Sequence, residues 1–256
     1  MEMQFEMWSP FHWFMMVTPF ILAIVLYIIM RDKSFNSQRT AAIILGIILV
    51  FILTVRQIFM LAEYGVGPEV FPLQVCHFGN ILLLIVAINR KYRTIGTIAW
   101  CLNFPAALVS VIFANGLENY DNAFDIQGLA YIFGHMLIVT ASLYFLFTHI
   151  IQINFRTLLK AYIILFPVFL LSVVLNNWFA DMFNETSNYF YSYTPEAGTP
   201  LETMYNLGAP VTAMGLTFNP VYLLVLSAAG AVVMFIMYVL AQLLYRVDES
   251  DNIRVN

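Results

Sequence analysis

Seven long apolar stretches alternate with short polar connections along the chain. Each is close to the roughly 20 apolar residues that an α-helix needs to cross the hydrocarbon core of a bilayer. The pattern therefore predicts an all-α fold, a polytopic membrane protein with a seven-helix transmembrane bundle. The predicted spans cover residues of about 11–30, 41–61, 72–89, 94–114, 128–148, 158–180 and 221–245.

The connections are too short to hold a separate soluble domain. Even the longest, residues 181–220, is well below the usual domain size of about 50 residues or more. We therefore predict a single membrane domain over residues 1–256, in which residues 181–220 form a loop on the outer side. The first apolar stretch has no small-residue cleavage site after it, so it is predicted to be a retained span rather than a signal peptide.

The basic residues follow the alternation of the connections. Of the eleven Lys and Arg residues, Arg56 lies within a predicted helix, and the other ten fall in alternate connections, in the C-terminal tail or at the adjoining helix end. The remaining connections hold no Lys or Arg and most of the acids. Because basic residues are retained on the cytoplasmic side, the pattern predicts the N-terminus outside and the C-terminus inside. The ten residues are Arg31, Lys33, Arg39, Arg90, Lys91, Arg93, Arg156, Lys160, Arg246 and Arg254.

The amino-acid composition is typical of a protein that is surrounded by a lipid bilayer. The chain is 61% hydrophobic and 10% charged, whereas soluble proteins carry about 25% charged residues. Because the charges divide between the two sides of the membrane, the net charge of −4 gives no reason to expect a nucleic-acid partner. Cys76 and Cys101 both lie in apolar stretches, so a disulfide framework is not indicated. No internal repeat is evident, which weighs against an inverted-repeat transporter.

Polar residues inside the predicted helices concentrate in their outer halves. Ionisable groups are costly in a bilayer, so each needs a partner or a function. Because polar residues of five helices lie at similar depth in the membrane, we predict a polar pocket that opens toward the outer leaflet. The aromatic outer loop is predicted to lie above it. The predicted substrate-binding set is Arg56, His77, Asn80, Asn103, Asn176 and Tyr189.

Structural roles are the alternative for the same residues. Arg56 can pair with Glu63 or with backbone carbonyls to fix helix packing. The asparagines can join helices by hydrogen bonds, and both cysteines can be small packing residues. His12 is predicted to lie at the membrane interface beside Trp8 and Trp13.

Cys76 and His135 are the candidate catalytic residues. Cys76 follows Pro72 near the start of a helix, where the helix dipole favours a thiolate. His135 lies at similar depth in another helix and can accept the thiol proton, so the two can form a nucleophilic pair for acyl chemistry. No cofactor and no metal are predicted.

Two other functions use the same residues. His12, His77 and His135 can together hold a catalytic zinc ion. A transporter or binding protein for an amphipathic anion can use Arg56 within the same outward-facing pocket.

The residues around the candidate pair resemble a known family. The segment Phe71-Pro72-Leu73-Gln74-Val75-Cys76, then His135, then Asn188-Tyr189-Phe190-Tyr191 and Pro195, resemble YwaF-like bacterial integral membrane proteins, which are related to transmembrane protein 164. The resemblance implies a seven-span fold in a bacterial plasma membrane. It also implies phospholipid acyl transfer or hydrolysis through a Cys and a His, which fall on Cys76 and His135. A membrane lipid is then the expected partner, and the oligomeric state stays open.

Overall fold

The structure, a computed structural model, describes residues 5–114, 117, 123–184 and 187–255, with side chains described as far as residue 245. Among these residues, seven helices are long and apolar enough to cross a membrane, so the predicted seven-span helical fold is confirmed. The orientation of the termini stays a prediction. The spans, numbered first to seventh, are Pro10–Met30, Phe35–Tyr64, Pro68–Ile88, Arg93–Phe113, Ile126–Phe147, Phe155–Phe183 and Pro220–Tyr245, the last continuing as a helix to Val255.

Two span boundaries differ from the predicted ones. The second span begins at Phe35 rather than near residue 41, because the Ser34 side chain caps the helix by accepting a hydrogen bond from Ser37 N. A helix that leaves the bilayer can continue through polar residues. The α-helix of the third span begins only at Val75, after a 3₁₀ turn over Pro68–Val70. Cys76 is therefore in the first turn of this helix, nearer to its N-terminus than the sequence indicates.

The fourth span contains a wide turn. Its α-helical parts, Arg93–Ile98 and Phe104–Phe113, are joined by a π-helical turn over Ala99–Asn103, in which Phe104 N donates to Ala99 O. Pro105 follows directly. Proline has no N–H and its ring collides with the carbonyl four residues earlier, so the widened turn accommodates it without breaking the span.

The fifth span is the centre of the bundle. Within its most apolar stretch 67% of the residues are buried, against 11% to 28% in the first, second, third, sixth and seventh spans. The first, second, third and fourth spans pack around it, and the sixth and seventh pack against the fourth. The outward faces of these peripheral spans remain apolar, as a lipid environment requires.

One end of the bundle carries the longer ordered connections, residues 65–74 and 187–219, and is called the loop end below. Residues 187–219 contain a 3₁₀ turn at Tyr189–Tyr191, the short helix Pro200–Tyr205 and a hairpin. The strands β1 (Val211–Ala213) and β2 (Leu216–Phe218) pair antiparallel with Val211 opposite Phe218. Met214 and Gly215 make the turn between them with positive φ values of 52° and 76°, as a two-residue hairpin of this twist requires.

Candidate functional site

Cys76 lies beside the fourth span at the loop end. Its thiol is partly buried and interacts with the side chain of Ser110. The Ser110 hydroxyl donates to Ala106 O at 3.1 Å, so its oxygen can accept the weak S–H donor of Cys76. The serine therefore holds the thiol at a defined place between the third and fourth spans.

His135 is held in one tautomer. Its Nδ1 lies 2.7 Å from Tyr131 O, and a carbonyl oxygen can only accept, so Nδ1 carries the proton. The neutral ring then presents the lone pair of Nε2, which no hydrogen bond engages within the described part of the chain. The Tyr131 ring lies 4.2 Å from the imidazole, and its hydroxyl donates to Ser110 O at 3.0 Å. Ser110 thus links the surroundings of Cys76 and His135.

A close contact sets the register of the third and fifth spans. A Cβ atom placed on Gly79 would lie 3.5 Å from Ile138 Cδ1, so these two residues face each other. Cys76 and His135 each precede this contact by three residues, or about 4.5 Å of helix rise, and the two spans run in the same direction. The two residues are therefore at the same depth, although no hydrogen bond joins them directly among the described residues.

Arg56 is paired with Glu69 rather than with Glu63, and it also donates to a backbone carbonyl, as the structural alternative allowed. Arg56 Nη2 lies 2.7 Å from Glu69 Oε2, and Nη1 donates to the Glu69 backbone carbonyl and to Gln57 Oε1. The connection after the second span folds back over Arg56, which brings Glu69 to it. The Arg56 side chain is 10% exposed and that of Glu69 is 49% exposed. Electrostatic interactions extend from Arg56 to His77 and His135.

Three buried polar atoms near Cys76 have no hydrogen-bond partner among the described residues. They are His77 Nδ1, Asn80 Oδ1 and Asn103 Oδ1. The carboxamide of Asn103 is fixed on its other side, because Nδ2 donates to Val75 O at 2.6 Å. The π-helical turn of the fourth span thus places one free acceptor against the first turns of the third.

The remaining two members of the predicted substrate-binding set are engaged by the outer loop. Asn176 Nδ2 donates to Tyr189 O and Ser192 Oγ, and Asn176 Oδ1 accepts from Ser187 Oγ and Tyr189 N. The Tyr189 hydroxyl donates to Pro68 O at 2.5 Å. Burial, followed by the nearby Glu69 carboxylate, raises the pKa of Tyr189, so the phenol stays a neutral donor. Substrate binding by these two residues stays a prediction, and their bonds hold the loop in place.

His12 is buried against the fourth span, and its position at the membrane interface stays a prediction. Its Nε2 bonds to Val111 O at 3.0 Å and its Nδ1 accepts from Trp8 N at 2.9 Å. Both ring nitrogens are thereby used, and neither can bind a metal ion. Across the described residues no group of three potential ligands could hold a metal, so the zinc alternative has no site there.

The sequence alone did not single out Ser110, Tyr131 or Glu69, and it gave Tyr191 only as part of the motif that resembles a known family. Two of them had a signal, since Tyr131 is four residues before His135 and Ser110 is seven after Asn103, each on a shared helix face. Tyr191 lies near Cys76, and both Phe190 and Tyr191 have positive φ values, 57° and 53°. Such backbone is strained for these residues and turns the loop over the third span, where Phe190 contacts Phe78.

Comparison with known proteins agrees with this architecture. Neither the curated proteins nor the solved structures give a match to the chain. The model of the TMEM164 family matches residues 7–238, which include the first six spans, the seventh span as far as residue 238 and every candidate residue named above. The YwaF-like part of the resemblance stays a prediction. By the extent of this match, the chain belongs to the TMEM164 family of membrane proteins.

Proposed function

We propose that the protein transfers or hydrolyses acyl groups of membrane phospholipids through a thioester on Cys76, with His135 as general base. The observation that carries the proposal is the state of His135, whose Nδ1 proton is fixed on Tyr131 O while Nε2 remains open. A histidine in this state can accept a proton. Its shared depth with Cys76 supports the thiol as the source of that proton.

The proposed reaction has two steps. In the first, the Cys76 S–H proton passes to His135 Nε2 as the sulfur attacks the ester carbonyl carbon of the lipid. The ester C–O bond breaks, and the leaving alcohol takes the proton from His135. In the second, an alcohol or water gives its proton to Nε2 and attacks the thioester, and the released sulfur recovers the proton.

Charge that develops on the carbonyl oxygen needs donors close to Cys76. The helix begins at Val75, and the first N–H groups of a helix have no partner within it. His77 N and Phe78 N donate to Gln74 O, so we assign the backbone N–H groups of Val75 and Cys76 to the oxyanion, supported by the positive potential of Arg56. In the proposal Arg56 and His77 face the lipid headgroup, Asn80 and Asn103 orient the substrate, and Asn176 and Tyr189 hold the loop above it.

A transporter or binding protein for an amphipathic anion remains the competing function. The observation that favours it is Arg56 itself, a cation with 10% of its side chain exposed near the pocket. A binding function requires Arg56 and is indifferent to the Cys76 thiol.

The test measures the acyl-enzyme directly. Purified protein is incubated with phosphatidylcholine vesicles that carry an isotopically labelled acyl chain and is then denatured, so that any bound chain is trapped. We expect a hydroxylamine-labile chain on Cys76 in the wild type and in Cys101→Ala, and none in Cys76→Ala. His135→Gln should slow its formation about 100-fold or more, as expected for loss of a general base.

The Cys101→Ala variant is the matched control because Cys101 is fully buried in the apolar core. Acylation at an unchanged rate in His135→Gln would remove the histidine from the mechanism. No acyl chain on Cys76, together with lipid binding that is lost in Arg56→Ala and kept in Cys76→Ala, would favour the binding or transport function instead.

A further inference from the structure

The polar atoms that the protein leaves without partners define the chemistry of a ligand. Asn80 is 5% exposed and Asn103 is fully buried, yet the carboxamide oxygen of each, together with His77 Nδ1, has no partner among the described residues. Unpaired buried acceptors are costly and are rare in native proteins. Because a carboxamide oxygen can only accept, a ligand bound at these two oxygens must supply hydrogen-bond donors.

The three groups surround Cys76. Asn80 follows Cys76 by four residues and His77 by three, so helix geometry places its side chain beside both. Asn103 lies across the same helix, since its Nδ2 bonds Val75 O at 2.6 Å and its Cβ is 3.1 Å from the Cβ position of Gly79. The two acceptors therefore lie within about one helical turn of Cys76, on the side away from the loop end.

The charged residues nearby favour neutral hydroxyl groups over ammonium groups as the hydrogen-bond donors of the ligand. An ammonium group supplies donors but needs a free anion, and the Glu69 carboxylate is bound to Arg56 at 2.7 Å. The positive charge of Arg56 also reaches His77, which disfavours a second cation. Neutral hydroxyl groups satisfy the acceptors without this repulsion.

A single hydroxyl is not enough for acyl transfer. The attacking hydroxyl gives its only proton to His135 and then has none left for an asparagine oxygen. A second hydroxyl on the same molecule can remain bound to Asn80 or Asn103 while the first reacts.

We propose that Asn80, Asn103 and His77 form a subsite for a neutral glycerol unit with two free hydroxyls, carried by the lipid that accepts the acyl group. This inference rests on the proposed function for its place in the reaction. One hydroxyl proton passes to His135 Nε2, the oxygen bonds to the thioester carbon, the C–S bond breaks, and the Cys76 sulfur takes the proton back. The second hydroxyl donates to a carboxamide oxygen throughout.

Equilibrium binding to the Cys76→Ala protein tests the subsite without any acyl chemistry. The probes are 1-acylglycerol and the monoester of propane-1,3-diol with the same fluorescent acyl chain, which differ by one hydroxyl. In detergent micelles we expect 1-acylglycerol to bind about tenfold more tightly, as one or two hydrogen bonds to buried acceptors allow. Equal Kd values for the two probes would overturn the proposal.

Three further variants place the preference at this subsite. At least one of Asn80→Leu and Asn103→Ala, each in the same background, should bring the ratio of the two Kd values close to one. Asn80→Leu breaks no hydrogen bond described for the Asn80 side chain. Ser142→Ala is the matched control, because Ser142 Oγ is another buried atom without a partner in the described chain but lies seven residues beyond His135. Its ratio should equal that of Cys76→Ala alone.

A preference that survives Asn80→Leu and Asn103→Ala would assign the second hydroxyl to another part of the pocket and end the proposal. If the proposed function is wrong, no acyl chain is found on Cys76. The ratio of the two Kd values does not depend on that result, so it still tests the subsite. If Asn80→Leu does not fold, the Kd values of the two probes for the Cys76→Ala protein still test the proposal, since equal values overturn it.

Discussion

The polar side chains of the site differ in how many of their atoms form hydrogen bonds within the protein. Asn176 makes four hydrogen bonds to the outer loop, whereas Asn103 keeps a free oxygen. Asn103 is at the middle of the fourth span and Asn176 is in the loop-end half of the sixth, but neither position indicates how many hydrogen bonds the side chain makes. The difference follows from what packs against each, a loop backbone in one case and two helices in the other.

The two side chains of the Arg56–Glu69 pair differ in exposure, so their substitutions should differ in how far they lower stability. Glu69→Gln leaves a charge that is 10% exposed without its partner, whereas Arg56→Gln leaves a carboxylate that is 49% exposed to solvent. Removing one partner of a buried pair costs about 3 kcal/mol or more, and an exposed one much less. We expect Glu69→Gln to lower the free energy of unfolding more than Arg56→Gln.

Thermal unfolding in detergent measures this difference, and the double variant is its control. Because the double variant leaves no unpaired charge, it should be less destabilised than Glu69→Gln alone. Equal losses for the two single variants would mean that water reaches Arg56.

At the scale of the helices, close approach rather than side-chain polarity sets the geometry of the site. The third span is held against the second at Gly46 and against the fourth and fifth at Gly79. These contacts fix the depth of Cys76 relative to His135. The π-helical turn before Pro105 then determines which way Asn103 faces.

Replacing the glycine between the second and third spans should destabilise the bundle. A Cβ atom on Gly46 would lie 2.8 Å from Leu84 Cα, a backbone atom that cannot move without the whole helix. We expect Gly46→Ala to cost about 1 to 3 kcal/mol of unfolding free energy, as overpacking does.

Gly230→Ala is the matched control, since nothing lies within 4 Å of the added methyl group. Alanine favours a helix over glycine by up to about 1 kcal/mol, so this variant should be as stable as the wild type or slightly more so. Unfolding measured for both variants in the same detergent compares them. An equal melting temperature for Gly46→Ala and the wild type would contradict the close contact.

At the scale of the whole molecule, the distribution of basic residues predicts the orientation in the membrane. Lys33 and Glu196 are exposed at opposite ends of the bundle, and the positive-inside rule places Glu196 outside. In a Cys76→Ala, Cys101→Ala background, we expect a membrane-impermeant maleimide to label Glu196→Cys in intact cells. Lys33→Cys should be labelled only after the cells are permeabilised, and the reverse pattern would invert the topology.

The sequence by itself determined the helical class, the seven spans and the residues that are chemically unusual for a membrane. Apolar length and the high cost of buried charge are properties of single segments, so they can be seen along the chain. Even the short helix Pro200–Tyr205 has a local signal, since the Thr199 side chain caps it and Pro200 is its first residue.

Only the tertiary structure decided which of those residues meet. Glu69 pairs with Arg56 because a connection folds back, His12 is buried because Val111 O lies across from it, and the hairpin at Met214 forms against the sixth span. The positions of Cys76 and His135 depend on a contact between Gly79 and Ile138, two apolar residues without chemical signal. Such pairings join positions far apart in the chain, and their energy arises from packing between helices, which no local pattern records.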